Sequence, residues 1–340
     1  HAVIASLMVE TREEWREFVK RAADCGADGI ELNYGCPHGM CERGMGSAVG
    51  QQPEVAERIT SWVMETATIP VIVKLTPNIT DITAAARAAK RAGANAISLI
   101  NTINSITNVN LDTFVPEPTV AGLSSHGGYC GPAVKPIALN MVQCCAADAQ
   151  VGLPISGIGG IANWRDAAEF MALGATNVQV CTAIMHYGFR IVQDMNEGLS
   201  TYLDSKGMKS LAELVGKSVR NVNEWKNLDL NFQRVARIDY DKCIGCNLCY
   251  IACEDGAHQC IDLLAPESIG VDLGPGRVPH KVLPKIREDD CVGCNLCALV
   301  CPVDNCITMV EIKNDKPKMS WSELQDKVAR GEMKPIPPHP

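Results

Sequence analysis

Residues 243–253 read Cys-Ile-Gly-Cys-Asn-Leu-Cys-Tyr-Ile-Ala-Cys, and residues 291–302 read Cys-Val-Gly-Cys-Asn-Leu-Cys-Ala-Leu-Val-Cys-Pro. Both stretches have the spacing C-x2-C-x2-C-x3-C. Cysteine thiolates at this spacing hold a [4Fe–4S] cube, and the fourth cysteine of each stretch ligates the cluster of the other. The spacing therefore predicts a C-terminal α+β domain that carries two clusters and moves single electrons.

The exchange of the fourth cysteine divides the eight predicted metal ligands into two sets. The first set is Cys243, Cys246, Cys249 and Cys301, and the second is Cys291, Cys294, Cys297 and Cys253. Gly245 and Gly293 would let the backbone come close to the inorganic sulfides. Structural zinc is the alternative, but zinc sites favour two CxxC pairs that lie well apart. Glu254 stands where the first stretch would usually carry proline.

Composition limits the class of protein. The chain has 340 residues, of which 46% are hydrophobic and 21% charged, which is typical of two globular domains. A net charge of −8 without a Lys/Arg block argues against nucleic-acid binding. We expect no membrane span and no export leader, because no suitable apolar stretch is present. The cysteines outside the two motifs are then expected to stay free thiols in a reducing cytoplasm.

The first 190 residues alternate short apolar strands with helical stretches, which predicts a parallel sheet of β-α units. The predicted strands are Ala2–Met8, Gly29–Gly35, Val71–Thr76, Ala96–Asn101, Pro154–Gly159 and Asn177–Cys181, and the predicted helices include Thr11–Cys25, Pro53–Thr66 and Asp81–Ala92. A closed barrel needs eight units, so we expect two N-terminal units, about sixty to one hundred residues, to be missing from this sequence. An open Rossmann-type sheet is the alternative, weakened by the lack of G-x-G-x-x-G after an early strand.

The predicted domain order follows from these patterns. We expect a barrel portion over residues 1–190, helical closure and a connector over 191–234, a ferredoxin-like domain over 235–313 and a tail over 314–340. Inside these ranges we expect a loop or hairpin at Ser268–Pro284, a short helix at Trp321–Ala329 and a long crossing without strands between Thr102 and Gly131.

A glycine-rich loop follows the second predicted strand. Five glycines lie from Gly35 to Gly50, which predicts a mobile lid over a substrate. Cys36 at its base is a candidate general acid, because a free thiol is mostly protonated at neutral pH. A buried structural thiol is the alternative interpretation.

Polar residues end two further strands. Lys74 closes an otherwise apolar strand, so its charge needs a partner, either an anionic cofactor ring or Glu31. The carboxamides of Asn33 and Asn101, the latter followed by Thr102, match the donor and acceptor edges of a neutral heterocycle. Asparagines that merely close turns are the alternative.

Glycines at the last strand ends predict a phosphate site. Residues 157–160 and 181–182 lie where β/α barrels bind phosphate through backbone N–H groups, and residues 127–131 are expected to join them. A phosphate site, a lysine near a ring and iron–sulfur clusters together predict flavin mononucleotide (FMN), which converts single electrons into a hydride.

Several of these stretches form a specific combination of motifs. They are Asn-Tyr-Gly-Cys-Pro-His-Gly-Met at 33–40, Glu-Arg-Gly-Met at 42–45, Lys-Leu-Thr-Pro-Asn at 74–78 and Asn-Thr at 101–102. With the paired cysteine stretches they resemble the dihydropyrimidine dehydrogenase family, in particular its bacterial FMN/iron–sulfur subunits. The resemblance implies a (β/α)8 TIM barrel of the dihydroorotate dehydrogenase type that binds FMN. It also implies reversible reduction of uracil or thymine, with electrons from an NAD(H)/FAD-binding partner subunit in a hetero-oligomer.

The resemblance also implies roles for individual residues. Cys36 would be the catalytic acid that protonates C5 of the pyrimidine, opposite hydride delivery at C6. The implied substrate-binding residues are Asn33, Tyr34, Gly35, Asn101 and Thr102. The implied flavin-binding residues are Lys74, Gly131, Ile158, Gly159, Gly160, Cys181 and Thr182. Gly35 stands where the animal members of the family have serine.

Two other functions remain open at this point. Dihydroorotate dehydrogenase chemistry uses a similar barrel and FMN, but the carboxylate of orotate would need a cationic contact, for which the sequence offers Lys74 and Arg43. A non-catalytic electron carrier, with two clusters on an inert barrel remnant, is the third interpretation.

Overall fold

A computed structural model describes residues 1–37, 42–256, 258–272 and 281–335. The chain divides into two compact units, His1–Val222 and Asn223–Pro340. In the described ranges, no helix combines the length and the apolar character needed to cross a bilayer.

The first unit is built on a parallel sheet. Its strands in chain order are β1 (Ile4–Leu7), β2 (Gly29–Asn33), β3 (Val71–Lys74), β4 (Ala96–Leu99), β5 (Ile103–Ser105), β6 (Asn108–Asn110), β7 (Val115–Glu117), β8 (Gly127–Tyr129), β9 (Ile155–Ile158) and β10 (Asn177–Gln179). Six of them pair in parallel in the order β1-β2-β3-β4-β9-β10. All six predicted strands and their β-α alternation are therefore confirmed. Since the strands are parallel, their carboxyl ends lie at one edge of the sheet, where β/α barrels build their sites.

Helices pack on this sheet and bury most side chains of its inner strands. They are α1 (Arg12–Asp24), α2 (Ser47–Gly50), α3 (Pro53–Met64), α4 (Ile82–Arg91), α5 (Lys135–Ala147), α6 (Trp164–Ala172), α7 (Thr182–Tyr187) and α8 (Arg190–Ser205). The first helix shows why these segments are helical. Thr11 and Glu14 form a capping box at its start, and Trp15 and Val19, one turn apart, are buried in the core.

The segment between Thr102 and Gly131 corrects the sequence prediction. It was expected to contain no strand, but β5 pairs with β8 and β6 pairs with β7 in two antiparallel ribbons. Each of these strands is only three residues long, and none of their residues is buried. Because there is no buried face, the strands lack the apolar alternation by which a strand is recognised in sequence.

In its described residues, the second unit contains two antiparallel strand pairs and three α-helices. Its elements are β11 (Gln233–Ile238), α9 (Leu248–Gly256), β12 (Ile261–Leu264), β13 (Leu283–Ile286), α10 (Leu296–Leu299), β14 (Ile307–Ile312) and α11 (Trp321–Ala329). Strand β11 pairs with β14, and β12 pairs with β13. Buried cysteines make up a large part of its core. The α+β architecture and the helix predicted at Trp321–Ala329 are confirmed.

The predictions for the stretch after α8 and for two loop segments are only partly met or tested by the structure. After α8, the stretch expected to be helical contains only three short 3-10 turns, at Leu211–Glu213, Val219–Asn221 and Trp225–Asn227. The loop or hairpin predicted at Ser268–Pro284 falls partly outside the described residues, and so does the proline-rich end of the tail.

Candidate functional site

A cleft lies at the carboxyl ends of the parallel strands. Nine of the residues singled out in the sequence line it together: Lys74, Asn101, Thr102, Gly131, Ile158, Gly159, Gly160, Cys181 and Thr182. They come from different strand ends and from the segment before α5, so the fold assembles them from distant parts of the sequence. Asn33, Tyr34, Gly35 and Cys36 do not line this cleft, although contacts described below join them to it.

Three glycines form a close-packed backbone cradle in the cleft. Gly131, Gly159 and Gly160 have positive φ angles of 92°, 138° and 76°, which side chains rarely adopt. A Cβ atom on Gly160 would lie 2.8 Å from the Gly131 carbonyl oxygen, and one on Gly159 would lie 2.7 Å from the Cβ of Ala138. The cradle thus presents bare backbone, as a barrel phosphate site requires, and it fits the phosphate of FMN.

Lys74 belongs to a buried polar network beneath the cleft. Its ammonium Nζ lies 3.1 Å from Glu31 Oε1 and donates to Gln179 Oε1 at 3.0 Å. Glu31 Oε2 in turn accepts from Ser98 Oγ at 2.8 Å and from Gln179 Nε2 at 3.0 Å. The sequence predicted Glu31 as one partner of Lys74 but gave no indication of Gln179. The network holds a positive charge at the cleft wall, where it suits an anionic flavin ring.

Asn33 and Asn101 are hydrogen-bonded to each other, and the hydrogen bonds fix the orientation of the Asn33 side-chain amide. Asn33 Oδ1 accepts from the backbone N–H groups of Gly35 and Cys36, each at 3.2 Å, and from Asn101 Nδ2 at 2.9 Å. Because a backbone N–H can only donate, this oxygen cannot be exchanged with the amide nitrogen. The described residues offer no partner for Asn33 Nδ2, which is therefore available as a donor to a ligand.

Gly35 and Tyr34 have different surroundings. A Cβ on Gly35 would lie 2.6 Å from Asn101 Cγ, so only glycine lets Asn101 pack against this loop. The Tyr34 side chain points into the core, where it is fully buried and shares a hydrogen bond of 3.1 Å with Thr60. Burial raises the pKa of the Tyr34 phenol. Any contact of Tyr34 with a substrate would have to come from its backbone.

The backbone of Cys36 is held from both sides. Its N–H donates to Asn33 Oδ1, and its carbonyl oxygen accepts from the Ser47 N–H at 3.0 Å. A Cβ on Gly46 would lie 2.5 Å from that same oxygen. The loop that carries the thiol is thus anchored to Asn33 and Asn101, which we call the carboxamide pair. The central part of the predicted lid, residues 38–41, lies outside the described residues.

Asn78 ends the Lys-Leu-Thr-Pro-Asn motif, and the motif gave this residue no predicted role. Its Nδ2 donates to the Thr102 carbonyl oxygen at 3.1 Å, and its Oδ1 accepts from the Asn104 N–H at 2.8 Å. These two bonds hold the backbone on either side of residue 103, directly after the Asn101-Thr102 pair. In the sequence, only its position four residues after Lys74 indicated that Asn78 lies near the site.

The second unit contains two cavities lined by thiols. One, which we call the Cys291 cavity, is lined by Cys253, Cys291, Cys294 and Cys297. The other, the Cys243 cavity, is lined by Cys243, Cys246, Cys249 and Cys301. Each cavity takes its fourth cysteine from the other sequence motif, which is the grouping that the spacing predicts. The donor sets fit [4Fe–4S] clusters, and cluster ligation by these residues stays a prediction.

Burial keeps some of these thiols protonated when no iron is bound. It raises the pKa of Cys249 to about 12 and that of Cys297 to about 11, and neighbouring thiols contribute in the same direction. Iron binds thiolate, so each such ligand must lose its proton when a cluster is assembled. Cluster assembly should therefore become less favourable as pH falls.

Two family models match the chain. The model "Dihydroorotate dehydrogenase" matches residues 1–203, and the model "4Fe-4S dicluster domain" matches residues 236–309. The first family binds FMN and the second domain binds iron–sulfur clusters, so FMN and iron–sulfur clusters are the cofactors of this chain.

Curated relatives agree with both models. The Escherichia coli K12 protein "NAD-dependent dihydropyrimidine dehydrogenase subunit PreA" is 47% identical over 261 residues, which cover 76% of this chain and 63% of that protein. The Arabidopsis thaliana "Dihydropyrimidine dehydrogenase (NADP(+)), chloroplastic" is 40% identical, over 64% of this chain and 52% of that protein. The Pyrococcus abyssi "Dihydroorotate dehydrogenase B (NAD(+)), catalytic subunit" is 38% identical, over 64% of this chain and 69% of that protein.

The chain thus spans less than two thirds of the length of the E. coli and Arabidopsis relatives. The predicted barrel-type α/β fold followed by an iron–sulfur domain is confirmed by the two matched models. The chain belongs to the dihydroorotate dehydrogenase family and continues into a 4Fe–4S dicluster domain.

Proposed function

We propose that this chain is the FMN/iron–sulfur part of a dihydropyrimidine dehydrogenase. It would reduce the 5,6 double bond of uracil or thymine, reversibly and in a reducing cytoplasm. Electrons would come from NADH through an NAD(H)/FAD-binding partner subunit and then through two [4Fe–4S] clusters. The E. coli relative, which is named as a subunit of an NAD-dependent dihydropyrimidine dehydrogenase, supports both the substrate class and the partner.

The observation that carries the proposal is the carboxamide pair joined to the Cys36 loop. Asn33 keeps a donor free for a carbonyl oxygen, and its own oxygen holds the backbone N–H of Cys36. Among the described residues lining the cleft, Lys74 is the only lysine or arginine, and its charge is paired with Glu31. Such a site suits a neutral ring with carbonyl groups better than a carboxylate.

The residues of this chain would have distinct roles in binding and catalysis. The glycine cradle would bind the phosphate, and Lys74 would stabilise negative charge on the cofactor ring. FMN, when bound, converts single electrons into a hydride. Asn33 and Asn101 would orient the pyrimidine, and the Cys36 thiol would supply the proton that balances the hydride at the neighbouring carbon.

A comparison of uracil with orotate tests the substrate class. We expect uracil to reoxidise the dithionite-reduced protein at least about tenfold faster than orotate, because the orotate carboxylate would be buried without a cationic partner. The measurement is the rate of flavin reoxidation under anaerobic conditions, after cofactor content has been determined. Faster reoxidation by orotate would assign dihydroorotate dehydrogenase chemistry, and no reoxidation by either would favour a plain electron carrier.

Gly35→Ala tests the contact between the loop and the carboxamide pair. The new Cβ would push Asn101 away, and such displacements lower kcat/KM for uracil by up to roughly a hundredfold. Gly127→Ala is the matched control, because Gly127, unlike Gly131, does not line the cleft and a Cβ there meets no atom within 4 Å. Equal activity of the two variants would show that the position of Asn101 does not matter for turnover.

A further inference from the structure

Each thiol-lined cavity contains a fifth cysteine that the ferredoxin spacing does not require. Cys260 lines the Cys291 cavity, and Cys306 lines the Cys243 cavity. Both are buried, with 4% and 2% of their surface exposed. Each lies directly before a strand, Cys260 before β12 and Cys306 before β14. The two cavities thus have an extra thiol at equivalent places in the fold.

The two extra thiols differ in their hydrogen bonds. The Cys260 sulfur lies 3.6 Å from the Cys253 sulfur, and the Cys260 backbone N–H donates to that same sulfur at 3.4 Å. The Cys306 thiol instead donates to the backbone carbonyl oxygen of Asp239 at 3.6 Å. Both extra thiols therefore lie beside predicted cluster ligands, Cys260 beside Cys253 and Cys306 beside Cys301 and Cys243. The Cys260 sulfur is within sulfur–sulfur hydrogen-bond distance of its ligand, whereas the Cys306 thiol donates to a backbone carbonyl.

The direction of the Cys260 bond follows from the chemistry of its partner. If Cys253 ligates iron, it does so as a thiolate, which has no proton to give. The proton between the two sulfurs must then be donated by Cys260. A backbone donor adds to the effect in the same cavity, since the Ala236 N–H lies 3.5 Å from the Cys291 sulfur.

We propose that the Cys260 thiol is a hydrogen-bond donor to the Cys253 thiolate and raises the reduction potential of the cluster in the Cys291 cavity above that of its neighbour. Reduction adds negative charge to a cluster and its sulfur ligands, so a hydrogen bond to a ligand stabilises the reduced state more than the oxidised state. Burial strengthens the effect, because little water competes for the bond. The inference rests on the ligand sets of the proposed function.

The test is an anaerobic redox titration of the full cluster-loaded chain, followed by electron paramagnetic resonance. In Cys260→Ala, we expect the higher of the two cluster potentials to fall, with roughly a tenfold change in the oxidised-to-reduced ratio at a fixed poise, or about 59 mV for one electron. Cys260→Ser keeps a donor and should lie closer to the wild type. Cys306→Ala is the matched control and should leave that higher potential in place.

Three results would overturn the inference. They are unchanged potentials in Cys260→Ala, an equal shift of the higher potential in Cys306→Ala, and loss of one whole cluster from Cys260→Ala, which would make Cys260 a ligand. Iron content, measured on every variant, separates the last result from the others. Uracil-dependent turnover is a separate measurement, so a failure of the proposed function remains distinguishable from a failure of this inference.

Discussion

Replacing Cys36 with alanine is expected to lower uracil reduction by about a hundredfold to ten-thousandfold, the range that a general acid contributes. The hydrogen bonds of this residue to Asn33 and from Ser47 are made by its backbone, so both are kept in the variant. The measurement is uracil turnover with a chemical reductant, together with iron and flavin content. Cofactor content should match that of the unmodified protein.

Cys36→Ser is the companion variant. Serine keeps the size and a proton on the side chain, but its hydroxyl is a much weaker acid than a thiol, so most of the activity should still be lost. Near-normal turnover of the alanine variant would remove Cys36 from the mechanism. Loss of cofactors in both variants would instead assign Cys36 the structural role that its sequence also allowed.

The inner strands of the parallel sheet, β2, β3, β4 and β9, could be predicted from sequence because they are largely buried. Each of these four is a short apolar run, and burial on both faces requires that pattern. The edge strands β1 and β10 have no buried residue. The cysteine motifs were equally informative, since cluster ligation demands a fixed spacing. In both cases the physical requirement acts on residues that are close together in the sequence.

Features that depend on distant residues were missed. Gln179 was not recognised because its role comes from Lys74, more than one hundred residues earlier. Cys260 and Cys306 stand outside any motif, and only the folded chain brings them beside the other thiols. The inward orientation of Tyr34 has the same explanation, because its partners Thr60 and Trp15 belong to different helices.

Replacing Lys74 with methionine should destabilise the first unit by about 3–5 kcal/mol, the usual result of removing one partner from a buried ion pair. The side chains of Lys74 and Glu31 are only 15% and 10% exposed, so solvent cannot replace the lost charge. Ser98 and Gln179 still donate to Glu31, so the loss of stability should lie near the lower end of this range. The measurement is urea unfolding followed by tryptophan fluorescence, with flavin content determined on the same samples.

The double variant Lys74→Met with Glu31→Gln separates charge from packing. It removes both charges, so it should recover much of the lost stability while flavin binding stays weak, because the cation is still absent. Arg21→Ala is the control at the surface. It breaks an ion pair with Glu17 whose side chains are 67% and 56% exposed, and it should change the free energy of unfolding far less. If Lys74→Met and Arg21→Ala had the same small effect, Lys74 would not be held by charge, and its proposed action on the flavin ring would lose its structural basis.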